Sequence, residues 1–234
     1  MYGGPAVDWM REQIEEMLVD IGKQLGLPQP KRGLLSILKK AALLLQDLKQ
    51  YPPTSTMRAV EACAGALAIA PLLNHRDEHV KLLVAFCITE VMRIAAPHSP
   101  YDDGTLMSMF CLLVNVFEGV NDIASPWYPR RIRILESVAH VESCVIMLDL
   151  NCVDLLLKLF TVLFDVASDQ HPPFVMESMQ NIMTLLLLAA KEESAVLQNA
   201  VLSKLQDDEI VSPAAQQLAE AVVEACSNKL KFFP

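Results

Sequence analysis

The chain has 234 residues, a formal net charge of −9 and a pI of about 5.0, a balance that repels phosphate backbones at long range and disfavours direct nucleic-acid binding except through a local basic patch. Apolar residues make up 53% of the sequence but aromatic ones only 6%, and there are just 8 glycines. That aliphatic mixture suits helix-on-helix packing and is poor material for a sandwich of tight hairpins.

In chain order, residues 1–30 read as an N-terminal helix, expected to be loosely attached, and residues 31–230 as one helical-repeat domain. Asp8, Arg11, Glu12, Glu15 and Glu16 take the place of the basic start and apolar stretch of a secretory signal. Breaks fall at Leu27 to Pro30, Tyr51 to Pro53, Pro97 to Gly104, Asn121 to Pro129 and Ser168 to Pro173. From Asp77 to Ala95, Val80, Val84, Cys87, Ile88, Val91 and Ala95 form one apolar stripe, with Asp77 as N-cap and Glu78, Lys81, Glu90 and Arg93 largely outside it. The uncharged run Thr105 to Phe117 is expected to fall short of the roughly 18 apolar residues a membrane span needs. Ser125-Pro126 and Ser212-Pro213 read as N-caps followed by proline at the first helical position. Cys152 to Val166 is apolar nearly all round, and Phe174 to Ala190 repeats the amphipathic stripe through Val175, Met179, Ile182, Met183, Leu186 and Ala190. The tail Lys229 to Pro234 leaves Phe232 and Phe233 in want of cover.

No segment alternates with the period of a strand. The breaks are compatible with antiparallel helix pairs of about 40 residues, the size of HEAT or armadillo units. The best single unit runs from Leu72 to Lys81, where a helix ends in a short polar turn and an acidic cap opens the next. The fold class expected is therefore all-α, a HEAT/armadillo-like α-solenoid; a non-repeating helical bundle is the alternative. Six cysteines without a C-x-x-C pair read as reduced, buried core residues, which fits a cytosolic or nuclear compartment.

Chemistry is sparse. His75-Arg76-Asp77-Glu78-His79 matches the H-x-x-E-H zinc motif, which needs both histidines on one face of a continuous helix. With Asp77 as N-cap, His75 lies before the helix and that geometry fails, so no metal is expected. No P-loop, dinucleotide motif or nucleophile with a nearby base is visible, and no cofactor and no catalytic residue are assigned. Asp102-Asp103 reads as helix capping. Arg130, Arg131 and Arg133 form the dense basic cluster, either a solvated helix face or a contact for an acidic peptide or DNA phosphate. Trp9 and Trp127 read as packing residues. Ala95-Ala96-Pro97-His98-Ser99-Pro100-Tyr101 places two prolines and an aromatic directly after the best amphipathic helix. It is either a rigid inter-helix elbow or a preorganised ledge offering Tyr101 to a partner peptide.

The stretch Leu73 to Ala85, running on through Arg93-Ile94-Ala95-Ala96-Pro97-His98-Ser99-Pro100-Tyr101, resembles the N-terminal region of the sister-chromatid cohesion family known as precocious dissociation of sisters. Arg130 to Glu136, Ser143 to Leu150 and Ser178 to Met183 resemble its plant members in particular. The resemblance runs from about Leu34 to Leu205. It implies a nuclear, non-enzymatic HEAT-repeat regulator that associates with the kleisin subunit of cohesin and with the wings-apart-like release factor. Such a regulator contacts chromatin only indirectly, without a membrane, and supports mitosis, meiosis and DNA repair. The family's alanine-proline motif falls on Ala96, Pro97, Pro100 and Tyr101, with Ser99 in place of the usual alanine; Lys81 and Arg93 complete the expected partner-binding set. Family members are much longer, so the chain is expected to be a fragment or a truncated relative. A generic helical-repeat scaffold unrelated to cohesin is the competing reading.

Overall fold

A computed structural model describes residues 5–191, 194–206 and 211–227. Twelve α-helices and three short 3-10 turns are present among the described residues, and no strand. The chain divides into two compact units, Met1–Leu112 and Leu113–Pro234.

The first unit holds α1 (Pro5–Leu25), α2 (Lys31–Asp47), α3 (Thr54–Leu67), α4 (Ala70–Leu73), α5 (Glu78–Ala95) and the greater part of α6 (Asp103–Phe117). Like stacks on like: α1 lies mainly against α3 and α2 against α5. The α2-type helices start at Lys31 and Glu78, an interval close to the roughly 40–47 residues of HEAT units. The division expected after residue 30 is replaced by one inside α6, and α1 is integral rather than loosely attached. Leu18, Ile21 and Leu25 are buried, and Glu15 on α1 accepts hydrogen bonds from the Ser55 and Thr56 hydroxyls at 2.8 and 2.5 Å. At Gly22 the two helices touch so closely that a Cβ would stand 2.8 Å from the Ala62 carbonyl oxygen.

Helix α5 is the centre of this unit. Its Asp77 N-cap is as expected, accepting from the backbone N–H of His79 and Val80 at 3.1 and 3.2 Å. Its burial is far broader than one stripe: thirteen consecutive positions from Val80 onward are nearly all covered, because α2, α3 and α4 all pack on it. Glu90, expected on the open side, is 2% exposed. A carboxylate there needs a partner, and Arg93 supplies it, Nε to Oε2 at 2.7 Å.

The second unit holds α7 (Tyr128–Val141), α8 (Ile146–Asp149), α9 (Val153–Val166), α10 (Pro173–Ala189), α11 (Ser194–Leu202) and α12 (Pro213–Cys226), with the end of α6. Helix α10 packs against α7 and α12, and α11 against α9. The Ser212-Pro213 start is as expected, Ser212 Oγ accepting from Ala215 N–H at 3.2 Å. The start expected at Ser125-Pro126 is displaced: the helix begins at Tyr128 with Pro129 in its first turn. Ser125 instead turns the preceding loop, its Oγ accepting from Trp127 N–H at 3.3 Å. His171 is a core residue here. Its Nδ1 lies 2.8 Å from the Tyr128 hydroxyl and its Nε2 2.8 Å from the Val166 carbonyl, and the two rings stack at 5.8 Å.

Two further expectations change. A 3-10 turn (Glu118–Asn121) prolongs α6, so the helical stretch Asp103–Asn121 has 19 residues and a mean hydropathy of 1.3, long and apolar enough to cross a membrane. Half of it is buried within the fold, Leu106, Met109, Phe110, Val114 and Phe117 among its covered side chains, as in the core helix of a folded domain. None of the six cysteines is in a disulfide, and five are buried, but Cys111 is exposed. Phe232 and Phe233 lie outside the described residues.

Candidate functional site: the proline elbow

Helix α5 ends where the sequence requires it. Pro97 has no N–H to offer and its ring forbids the helical turn before it. Ala96 therefore leaves the helix at φ −52°, ψ 140°, its own N–H still donating to the Met92 carbonyl. The Ala96–Pro97 peptide is cis. His98 N–H returns to the Ala95 carbonyl at 3.0 Å, closing the first half of the loop. Ser99 closes the second: its hydroxyl accepts from Tyr101 N–H at 3.2 Å and points its proton at the Met92 sulfur 3.7 Å away. The hydroxyl that stands in place of alanine is thus satisfied inside the loop. Asp102 then caps α6, accepting from Thr105 N–H at 2.8 Å, and this hydrogen bond is the main reason its carboxyl titrates below the ordinary aspartate range.

The elbow is braced from the α2–α3 loop. Gln50 Nε2 donates to the Ala96 carbonyl at 3.1 Å, and Tyr51 N–H donates to the Ile94 carbonyl at 3.4 Å. Tyr51 is held at φ 56°, a left-handed conformation that a non-glycine residue adopts only when its surroundings hold it there. Its ring is 70% exposed. Pro97, His98 and Pro100 are exposed beside it in the loop, and Ala96 and Ser99 are half-buried. The elbow therefore displays two prolines and an aromatic ring, but the fully displayed ring comes from a different loop than the sequence suggested.

Tyr101 is the correction. It is half-buried, and its hydroxyl is fully buried, with no hydrogen-bond partner. Burial, and then the neighbouring thiols of Cys63 and Cys87, push the phenol well above its usual range. Its ring thus anchors the elbow to the core between α3 and α5 and offers no polar tip to a guest.

Arg93 is also corrected. Besides Glu90, its guanidinium donates to the Leu45 and Leu48 carbonyls at 3.2 and 2.8 Å, closing the C-terminal end of α2. Lys81 pairs with Glu78 at 2.6 Å in the first turn of α5, about 20 Å along the helix from the elbow. The six expected contact residues therefore do not form one patch: Ala96, Pro97 and Pro100 do, Tyr101 supports them from inside, and Arg93 and Lys81 serve the helices.

On α7, Arg130 and Arg133 are one turn apart, whereas Arg131 points elsewhere. Its guanidinium lies over Gly119, where a Cβ would stand 2.6 Å from the guanidinium carbon, and reaches Ser125 Oγ at 3.4 Å. Trp9, expected to pack, is 62% exposed. His75 precedes α5 and its Nδ1 accepts Asp77 N–H at 3.0 Å, so His75 and His79 do not share a helix face. No group of three or more metal-ligating side chains occurs among the described residues.

Stacked helices and a capped inter-helix turn define a helical-repeat protein of the HEAT-like α-solenoid class. A chain of the solved Pds5–Scc1 complex has the same fold, with a TM-score of 0.71 over 86% of this chain and 31% of that one, at 22% identity. Residues 32–233 match the family model of the sister chromatid cohesion protein PDS5, and the chain belongs to that family. It is 43% identical over 95% of its length to sister chromatid cohesion protein PDS5 homolog A of Arabidopsis thaliana, and 37% identical over 95% to homolog C of the same plant. It spans only 14% and 26% of those two relatives.

Proposed function

We propose that this chain is the N-terminal helical-repeat region of a non-enzymatic cohesin regulator, working in the nucleus on the maintenance and release of sister-chromatid cohesion, with roles in mitosis, meiosis and DNA repair. Its partners in this reading are the kleisin subunit of cohesin and the wings-apart-like release factor, with chromatin reached through them. Family membership carries the reading, and the elbow gives it a surface. Pro97 and Pro100 have φ fixed before any partner arrives, and Tyr51 adds a rigid amphipathic ring, so an extended peptide would be met at low ordering cost.

The test is calorimetric titration with a release-factor peptide. Pro97→Ala with Pro100→Ala, and separately Tyr51→Ala, are expected to weaken binding about tenfold each, in the range of interface anchor residues. Tyr101→Phe is expected to leave affinity unchanged, since its hydroxyl faces the core. Equal affinity for all four proteins would discard the elbow as the contact. Pull-down from nuclei separates this reading from a generic scaffold, because only a cohesin regulator should recover cohesin subunits.

A further inference from the structure

Helix α2 carries a second surface with a different chemistry. Between Gln29 and Gln46 the sequence has four cations, Lys31, Arg32, Lys39 and Lys40, and no carboxylate, in a chain of net charge −9. The buried side of α2 is Leu34, Leu38, Ala41, Ala42 and Leu45. At 100° per residue Arg32, Lys39 and Lys40 fall on the other side with Ser36 and Leu43 between them, Leu35 lies at its edge, and Lys31 in the first turn stands in line with the buried side. That side is open: Arg32, Lys39 and Lys40 are exposed, and Leu43 is 60% exposed; Lys31, at the start of the helix, is exposed as well. Lys31, Arg32, Leu35, Ser36 and Lys39 line a shallow groove of about 490 Å³.

Lys31 is anchored by an ion pair with Asp77, but Arg32, Lys39 and Lys40 have no ion pair among the described residues. By contrast Lys81, Arg93 and Lys158 each meet a carboxylate. The first turn of α2 contains no acid and Pro30 gives no side-chain cap, so the positive end of the helix adds to the same field.

We propose that this face of α2 docks an acidic, leucine-containing peptide segment of a partner protein. Charge complementarity sets the sign of the guest. The exposed Leu43 and the groove-lining Leu35 set its second requirement, an apolar side chain between carboxylates. A nucleic acid has phosphates but no such side chain, and its long-range repulsion by the acidic remainder of the chain is greater than that of a short peptide. The face is separate from the proline elbow and does not depend on the role assigned there.

The probe is a fluorescein-labelled helical peptide repeating Glu-Glu-Leu-Leu, followed by anisotropy against the full chain, with Arg32→Glu/Lys39→Glu and Leu43→Ser as variants. Circular dichroism confirms that these exposed substitutions leave the helices intact. The charge-reversal protein should bind at least about tenfold more weakly, and affinity for the unchanged protein should fall as salt is raised. Leu43→Ser should weaken binding several-fold, and the elbow variants Pro97→Ala/Pro100→Ala should bind as the parent does. Peptide affinity within twofold of the parent in Arg32→Glu/Lys39→Glu would overturn the proposal. So would tighter binding of a labelled DNA duplex than of the peptide, or sedimentation showing that the face pairs two copies of this chain.

Discussion

The buried Tyr101 hydroxyl has no partner, and an unsatisfied buried polar group costs about 1–3 kcal/mol. Tyr101→Phe keeps the ring between α3 and α5 and removes that cost, so it should stabilise the chain by about 1 kcal/mol, read from chemical denaturation; a loss of stability would mean the hydroxyl has an unseen acceptor. Nothing in the sequence distinguishes a tyrosine offered to a partner from one pointing inward, since both follow a proline in a loop. The same blindness applies to the cysteines. Burial pushes the Cys63 and Cys144 thiols up to about 12 and raises Cys226 as well, whereas Cys111 stands on the exposed side of α6. Reaction needs an accessible thiolate. A disulfide exchange reagent at neutral pH should therefore modify Cys111 promptly and the buried thiols only after unfolding, as counted by mass spectrometry of the native and denatured protein. Asp77 and Asp102 bring a pH dependence. The hydrogen bond and ion pair with Lys31 hold the Asp77 carboxyl below the ordinary aspartate range, and Thr105 does the same for Asp102. A depressed folded-state value gives stability that is complete above the unfolded value and is lost as pH falls through the folded one. Thermal midpoints should accordingly drop below about pH 4, and less steeply in Asp77→Asn, which cannot titrate.

At the scale of elements, what is local was legible. Asp77 and Ser212 open helices because a side-chain oxygen, joined at the second by Pro213, solves a problem posed within four residues. The places of Glu90 and Arg93 are not legible in the sequence, for the opposite reason. Their burial depends on α2 lying across α5, and nothing within one helix reports that. Arg93 joins the two helices by donating to Glu90 and to the last carbonyls of α2 together. Arg93→Ala should cost about 2–3 kcal/mol, below the full penalty for a broken buried pair because the guanidinium is partly exposed. Arg93→Lys should recover only part of it, since an ammonium cannot reproduce the planar fork. Equal stability of the alanine and lysine variants would show that charge and reach contribute nothing there. Gly22 gives a second element-scale test. Its close approach to Ala62 lets α1 and α3 meet, and the sequence shows only an unremarkable helical glycine. Gly22→Ala must push backbone against backbone and should destabilise the first unit by about 1–3 kcal/mol, where an ordinary exposed helix position would gain from the same change.

At the scale of the whole chain, the class of fold was legible because it is written into period and composition: nearly every segment is aliphatic at helical spacing, and the breaks recur. Where the chain divides was not. The division falls at Leu112 and Leu113, inside an uninterrupted apolar helix, where no glycine, proline or charge marks it. It arises from which helices share neighbours, a property of pairings rather than of any segment. Each unit has its own core, and in helical-repeat proteins stability is close to a sum of local terms. Leu186 on α10 is wholly buried in the second unit, and α10 packs against α7 and α12. Leu186→Ala should cost about 3 kcal/mol through the cavity it leaves. The loss should show in hydrogen exchange as faster deuterium uptake in peptides from α7, α10 and α12, with those from α2 and α5 exchanging as in the parent. If α5 gained as much exchange as α10, the two cores would have to melt as one, and the local accounting that assigns the elbow and the basic face to the first unit alone would no longer hold.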